Sequence, residues 1–373
     1  MALPEREMAD ETIFTLVPPR HGMARWHDQP MTRISDAPTA DDAVPDILGA
    51  GWTSRTIRLR PDAEGDVVAT LVRRDGSAQP TRRAVLYIHG FGDYFFQTHL
   101  GDAWAEHGYD FYALDLRKYG RSLRPGQTPN FATDLRAYLE ELDAAARIIR
   151  EQDSHDVLVV LGHSTGGLLA ALWAHALRGR GVIDAVVLNS PWFDLNRGWF
   201  ERVVLTRTVD VVGRFAPRMI VGAMGSDYGR SLHRESGGMW DYNLTWKPHE
   251  GFPVRAGWLR TIRRGHARVA QGLDIDCPVL VCCSTASGPY DRLHPDIGTT
   301  DSVLGVEQIV ARSARLGHDV TIVQIPGGVH DLALSGPVAR QEYFYAMFAW
   351  ADKHVPTGEL GSRSRSQQPP AMV

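Results

Sequence analysis

The chain has 373 residues, enough for one large domain with an insertion or for two modest ones. Its apolar share of 43% and charged share of 23% are those of an ordinary globular protein, and a net charge of −4 supplies no whole-molecule field to recruit nucleic acid. No run approaches the ~18 apolar residues of a membrane span, and the opening Met1 to Phe14 lacks the basic start and apolar core of a secretory signal.

Cys277, Cys282 and Cys283 crowd into one short stretch. That spacing suits neither a disulfide framework nor the separated ligand pairs of a zinc site. Buried small apolar residues in a reducing, cytoplasmic setting are expected instead.

Residues 1–50 show little periodicity and are expected to form an arm. Strands are expected at 53–60 and 66–73, joined by a turn at 61–65, and at 84–88, which opens into His89-Gly90-Phe91-Gly92-Asp93. A helical stretch at 98–106 leads to a strand at 110–114. Phe131, Leu135, Leu139, Leu142, Ala146 and Ile149 recur at about the 3.6 period, which predicts a helix over 131–151. The fully apolar run 157–161 reads as a parallel strand covered on both faces. A helix at 165–177 and strands at 185–188, 279–283 and 320–325 follow, and a helix at 338–354 closes the pattern. The tail 357–373 is expected to be disordered.

This alternation predicts an α/β fold around a mostly parallel, eight-stranded sheet with flanking helices. The interval between Leu188 and Val279 is too long for a loop and carries no strand signal, so it reads as a helical insertion after the sixth strand. Within it Phe200, Val204, Val211, Val212 and Phe215 share one helical face, ending before Pro217, with Thr208 the one polar residue on it. The domain reading is therefore an arm (1–50), a core (51–190 and 274–355), a helical insertion (191–273) and a tail (356–373).

Chemistry concentrates in Gly162-His163-Ser164-Thr165-Gly166-Gly167, between the apolar strand and a small-residue helix. A sharp turn there exposes the serine hydroxyl at the C-terminal edge of the sheet, beside a helix N-terminus. An incidental serine in a Gly-rich turn is the bland alternative. Ser164 needs a base to take its proton, and His330, in the loop after the last strand, stands where the chain order of such hydrolases puts it. A surface histidine is the competing reading. Backbone N–H groups of Thr165 and Phe91 are candidates for an oxyanion hole, the glycines beside Phe91 letting the chain pass close to the serine.

The chain resembles the monoacylglycerol lipase/lysophospholipase branch of the α/β-hydrolases, which includes serine aminopeptidase-like members. The likeness rests on His89-Gly90-x-Gly92, Asp115-Leu116-Arg117-Lys118-Tyr119-Gly120-Arg121-Ser122, Gly162-His163-Ser164-x-Gly166-Gly167, Asp301-Ser302-Val303-Leu304 and Gly327 to His330. It implies the α/β-hydrolase fold and hydrolysis of acyl esters, usually lipid-like, beneath a helical lid inserted after strand six. Two carboxylates compete for the third triad position, Asp291 and Asp301. Asp301 follows a loop and precedes a helical stretch at 306–316, as the family's acid does, and is preferred. The mechanism so implied needs no metal or organic cofactor, and the expected partner is a small ester substrate.

Trp192, Trp199, Trp240, Trp246 and Trp258 all fall in the insertion, half of the chain's ten tryptophans. They fit either an apolar acyl site or simple packing of a small lid. Arg255, Arg260, Arg263, Arg264 and Arg268 read as a solvated helix face or as a basic face for transient contact with a membrane surface. Rival readings are an acyltransferase or cyclase using the same acyl-enzyme, and a peptidase that holds an amine with Glu201, Asp210, Asp227, Glu235 or Asp241. A non-catalytic relative of the hydrolases is a third, disfavoured by the complete set of candidate groups.

Overall fold

The computed structural model describes residues 40–75, 80–195 and 209–357. The arm before residue 40, the tail from 358, and Trp199, Phe200, Glu201, Val204 and Thr208 lie outside the described residues.

The strands, in chain order, are β1 (Val44–Pro45), β2 (Trp52–Asp62), β3 (Gly65–Arg74), β4 (Arg83–Ile88), β5 (Asp110–Asp115), β6 (Val157–His163), β7 (Ala185–Asn189), β8 (Ile220–Gly222), β9 (Val254–Arg255), β10 (Val279–Ser284) and β11 (Val320–Ile325). All except β8 and β9 form one sheet, in the order β1-β2-β3-β5-β4-β6-β7-β10-β11. Neighbours from β5 to β11 pair in parallel, and β1, β2 and β3 extend the sheet antiparallel. The eight expected strands are all present. The extra one, β1, pairs Val44 and Pro45 with Ser54 and Thr53. Two residues are too few to leave a periodicity in the sequence.

Residues along β6 divide by parity. Leu158 and Val160 join one core with α2 (Leu139–Arg147), α3 (Thr165–Ala176) and Ile309, while Val157, Val159 and Leu161 join another. That second core is closed by α1 (Thr98–Glu106) and by Tyr343 and Met347 of the C-terminal helix. Burial on both faces is why β6 lacks polar alternation. The helix expected over 131–151 is shorter. Asp134, in extended backbone, accepts from Arg136 N at 2.9 Å and opens a 3₁₀ turn, so α2 proper starts at Leu139.

The inserted segment holds helical residues 209–215, α4 (Ser226–Leu232) and α5 (Ala256–Ala270). Contrary to the strand-free expectation, β8 and β9 pair antiparallel within it. Both are too short to alternate. Val211 and Phe215 are exposed whereas Val209 is buried in the core, so the described end of that helix carries apolar residues on both its inner and outer sides. Two further helices, α6 (Val306–Ser313) and α7 (Pro337–His354), complete the fold.

Buried charges pin the loops near the sheet's C-terminal edge. Asp115 accepts from Phe95 N at 2.9 Å and from the Arg121 guanidinium at 2.8 Å, and Arg121 also grips Asp46 of the arm at 2.8 Å. Glu64, in the β2–β3 turn, receives Lys118 Nζ at 2.6 Å, Thr128 N at 3.0 Å and Arg218 at 2.7 Å. Burial works to raise the Glu64 carboxyl, but the bonds from Lys118 and Thr128 outweigh it and hold the group at about 2, below its ordinary 4.5. A depressed carboxyl stabilises the fold above its ordinary value and loses that stabilisation as pH falls toward its folded value. Melting temperature measured against pH should therefore show wild type more stable than Glu64→Gln near neutrality, the gap shrinking between about pH 4.5 and about 2. A gap that stays constant with pH would contradict this account of Glu64.

Candidate active site

Ser164 lies between β6 and α3 at φ 53° and ψ −115°, a left-handed backbone that a residue with a Cβ rarely adopts. Small neighbours make room for it. A Cβ on Gly166 would collide with the carbonyl oxygens of Ile88 and His89, and one on Gly162 would come within 2.5 Å of Gly166 O. One on Gly90 would stand 3.1 Å from Ser164 Cβ, so the loop after β4 passes close to the serine. Ser164 N donates to Asn189 O at 3.0 Å, and Trp192 N donates to Ser164 O at 2.9 Å. The elbow is hydrogen-bonded on both sides.

His330 reaches the serine from the loop after β11. Its Nε2 is 3.0 Å from Ser164 Oγ, and its Nδ1 is 3.0 Å from Asp301 Oδ2. A carboxylate only accepts, so Nδ1 carries the proton and Nε2 offers a lone pair to the serine hydroxyl. Asp301 is fully buried, and its other oxygen accepts from Val303 N and Leu304 N at 2.9 and 2.8 Å. The segment before it leaves the sheet after β10 and is closed where it returns. Gly288 N donates to Asp301 O at 2.8 Å, and Asp301 N donates to Ala286 O at 2.9 Å. Asp291 sits on that excursion, exposed to solvent. The structure brings Asp301, and not Asp291, to His330.

Phe91 and Thr165 both line the cavity in front of Ser164. Among the described residues neither backbone N–H donates to a protein acceptor. The Phe91 loop is braced by His89, fully buried, whose Nε2 accepts from Leu116 N at 3.1 Å. Its Nδ1 therefore donates to Gly90 O at 2.8 Å. Burial holds His89 below the usual histidine range, in the neutral form this tautomer requires.

The cavity encloses about 680 Å³. Its apolar side includes Phe91, whose ring lies 4.0 Å from that of Trp258, which in turn stacks at 5.9 Å on Trp192. The other described tryptophans of the insertion pack it onto the core. Trp240 Nε1 donates to Leu334 O at 2.7 Å, and Trp246 meets Tyr94 edge-on at 5.1 Å. The polar side holds Asp93, His163, Asp331 and Lys247. Lys247 Nζ is 2.7 Å from Asp93, and Asp331 accepts from Asn189 at 2.8 Å and from Gln97 at 3.0 Å. Burial drives His163 below the usual histidine range. Burial also works to raise Asp331, but His163, Gln97, Lys247 and Asn189 together hold it lower than an ordinary carboxylate.

The five insertion arginines are occupied by the protein itself. Arg255 bonds Arg218 O, Arg260 and Arg264 face Asp210, Arg263 pairs with Asp194, and Arg268 bonds Gly272 O. Among the described residues, none of Asp210, Asp227, Glu235 and Asp241 lines the cavity, and the carboxylates that do are Asp93 and Asp331. Asn189, Gln97 and Lys247 went unnoticed in the sequence, where nothing local marks them. Asp331 stood beside His330 without a readable role.

A family model described as serine aminopeptidase, S33, matches residues 79–335. Epoxide hydrolase 1 of Caenorhabditis elegans is 21% identical over 274 residues, which cover 66% of this chain, and the chain spans only 61% of that relative's length. A soluble variant of monoglyceride lipase from Saccharomyces cerevisiae, solved with a substrate analog, superposes with a TM-score of 0.59 at 17% identity, covering 80% of this chain and 96% of that one. A thermostable carboxyl esterase from Bacillus coagulans gives 0.57 at 12% identity, covering 81% and 98%. At these identities the solved structures establish the fold.

His330 stands within hydrogen-bond reach of the Ser164 hydroxyl, an arrangement that a serine-directed reagent tests. A fluorophosphonate should bond to Ser164, read by intact-protein mass. Asp301→Asn, which offers His330 an amide in place of a carboxylate, should slow that reaction by on the order of 10⁴, while Asp291→Asn leaves it near wild type. The opposite pattern would transfer the role to Asp291.

Proposed function

This chain belongs to the serine aminopeptidase, S33, family and has the α/β-hydrolase fold, and we propose that it is a serine hydrolase that cleaves a carboxylic ester with an apolar acyl group. The observation that carries the reading is the placement of His330, with one ring nitrogen 3.0 Å from Ser164 Oγ and the other 3.0 Å from buried Asp301. In this reading His330 takes the Ser164 proton as Oγ attacks the ester carbonyl. The Phe91 and Thr165 N–H groups receive the oxyanion of the tetrahedral intermediate. His330 then protonates the leaving alcohol, and Asp301 stabilises the imidazolium meanwhile. Water, deprotonated by the same histidine, releases the acid from the acyl-enzyme.

The proposed acyl site is the aromatic side of the cavity, where Phe91, Trp192 and Trp258 supply apolar surface beside the serine. Solved neighbours that are named as a monoglyceride lipase and a carboxyl esterase accord with an ester substrate. The inserted segment acts as a lid over this cavity. Exposed Val211, Phe215, Met219 and Ile220 on it support transient contact with a lipid surface, and the three buried free cysteines accord with a reducing, cytoplasmic setting. No described helix is long and apolar enough to cross a membrane.

p-Nitrophenyl esters of graded acyl length test the reading. Medium or bulky apolar acyl groups should give a higher kcat/KM than acetate, since each buried Å² of apolar surface contributes ~25 cal/mol to binding the transition state. Ser164→Ala should abolish turnover while remaining folded. A flat chain-length profile would leave the tryptophans a packing role only, and turnover by Ser164→Ala would remove the acyl-enzyme.

A further inference from the structure

Several hydrogen bonds that hold the His330 loop lie within the loop or come from the core. Val329 N donates to Ser335 Oγ at 3.0 Å, Leu332 N to Asn189 Oδ1 at 3.2 Å, and Ala333 N to the Asp331 carboxylate at 3.1 Å. One does not. The N–H of Asp331, immediately after the histidine, donates to the Tyr228 hydroxyl at 2.9 Å, and Tyr228 belongs to α4 of the inserted segment. Its ring also meets the His330 imidazole edge-on, with centroids 6.0 Å apart at 73°.

That N–H belongs to the peptide plane joining His330 to Asp331. The orientation of the plane fixes where the His330 side chain leaves the backbone, and both of its ring bonds depend on that direction. We infer that Tyr228 is a positioning residue for His330: by accepting the Asp331 N–H it holds the imidazole between Ser164 and Asp301, so an active triad requires the inserted segment to be seated on the core. The inference rests on the catalytic reading of Ser164, His330 and Asp301.

The same segment is tied down elsewhere by Lys247 on Asp93, by Trp240 on Leu334 O and by Asn243 N on Tyr94 Oη at 2.8 Å. None of these touches the residue next to the histidine. Tyr228 alone among them converts seating of the segment into histidine geometry. A misplacement of about 1 Å at a reacting group costs on the order of 10²-fold in rate, so a single backbone bond is enough to matter.

Tyr228→Phe tests this, because it keeps the ring and removes only the acceptor. With a short soluble p-nitrophenyl ester, kcat should fall about ten- to a hundredfold while KM stays within about twofold, and the rate of fluorophosphonate labelling at Ser164 should fall by the same factor as kcat. Trp240→Phe, which loosens the same segment at a different point, provides the stability control. Unchanged kcat and labelling in Tyr228→Phe would overturn the inference. So would a rise in KM at unchanged labelling, which would make Tyr228 a substrate contact. An equal loss of labelling in the two variants at equal melting temperature would overturn it as well, reducing Tyr228 to packing. Failure of the underlying catalytic reading would show separately, as labelling that persists in Ser164→Ala.

Discussion

Ser164 is held at φ 53° and ψ −115°, a conformation that costs on the order of 1–3 kcal/mol, and the surrounding chain is arranged to keep it there. The restraint begins with β6, buried on both faces and paired in parallel with β4 and β7 along its length. A strand fixed on all sides cannot relax when the chain reverses sharply at its end. The small residues follow from the same constraint. At Gly162 a Cβ would meet the start of α3, and at Gly166 it would meet the carbonyls at the end of β4, because α3 starts directly against the sheet. The fold thus holds this backbone at a residue whose side chain lines the cavity.

Asn189, at the end of β7, connects that strained residue to the rest of the site. Its carbonyl accepts from Ser164 N at 3.0 Å and faces His163 Nδ1 at 3.2 Å. Its side chain donates to Asp331 at 2.8 Å and accepts from Leu332 N at 3.2 Å. One residue in the middle of the sheet therefore holds both the Ser164 turn and the His330 loop. These two pieces are far apart in the chain, and no covalent path sets their separation. Relative placement of Ser164 and His330 is passed through Asn189, and an amide that donates and accepts at once suits that double task.

What could be read beforehand follows a physical rule. β6 and α3 are buried almost throughout, so apolar runs mark them in the sequence. Ser164 and His330 stood out because an elbow and the loop after the last strand leave local marks. Asp301 was harder, because Asp291, Asp296 and Asp301 all follow β10, and the closure of the excursion at Ala286 and Gly288 and the burial of Asp301 are visible only in space. Asn189 and Lys247 were invisible, since each matters through partners distant in sequence. The tryptophans of the insertion looked alike in the chain and divide in space. Trp192 and Trp258 face the cavity, whereas Trp240 and Trp246 bind the segment to the core. Composition reports how many such rings there are, and topology decides what each one touches.

The excursion that ends at Asp301 is knotted shut at its neck. The backbone bonds of Ala286 and Gly288 to Asp301, with Ser287 Oγ accepting from Val306 N at 2.8 Å, close the neck, and His294 Nε2 meets Ser302 Oγ beside it at 2.9 Å. Residues 289–300 form an appendix beyond that neck, tied back to it through His294 and Thr300. Doubling such a loop adds only ~0.6 kcal/mol of closure entropy. Tyr290, at the cavity's lining, rides on that appendix. One edge of the cavity is thus drawn by a stretch of chain that leaves and rejoins the fold at a single closed neck.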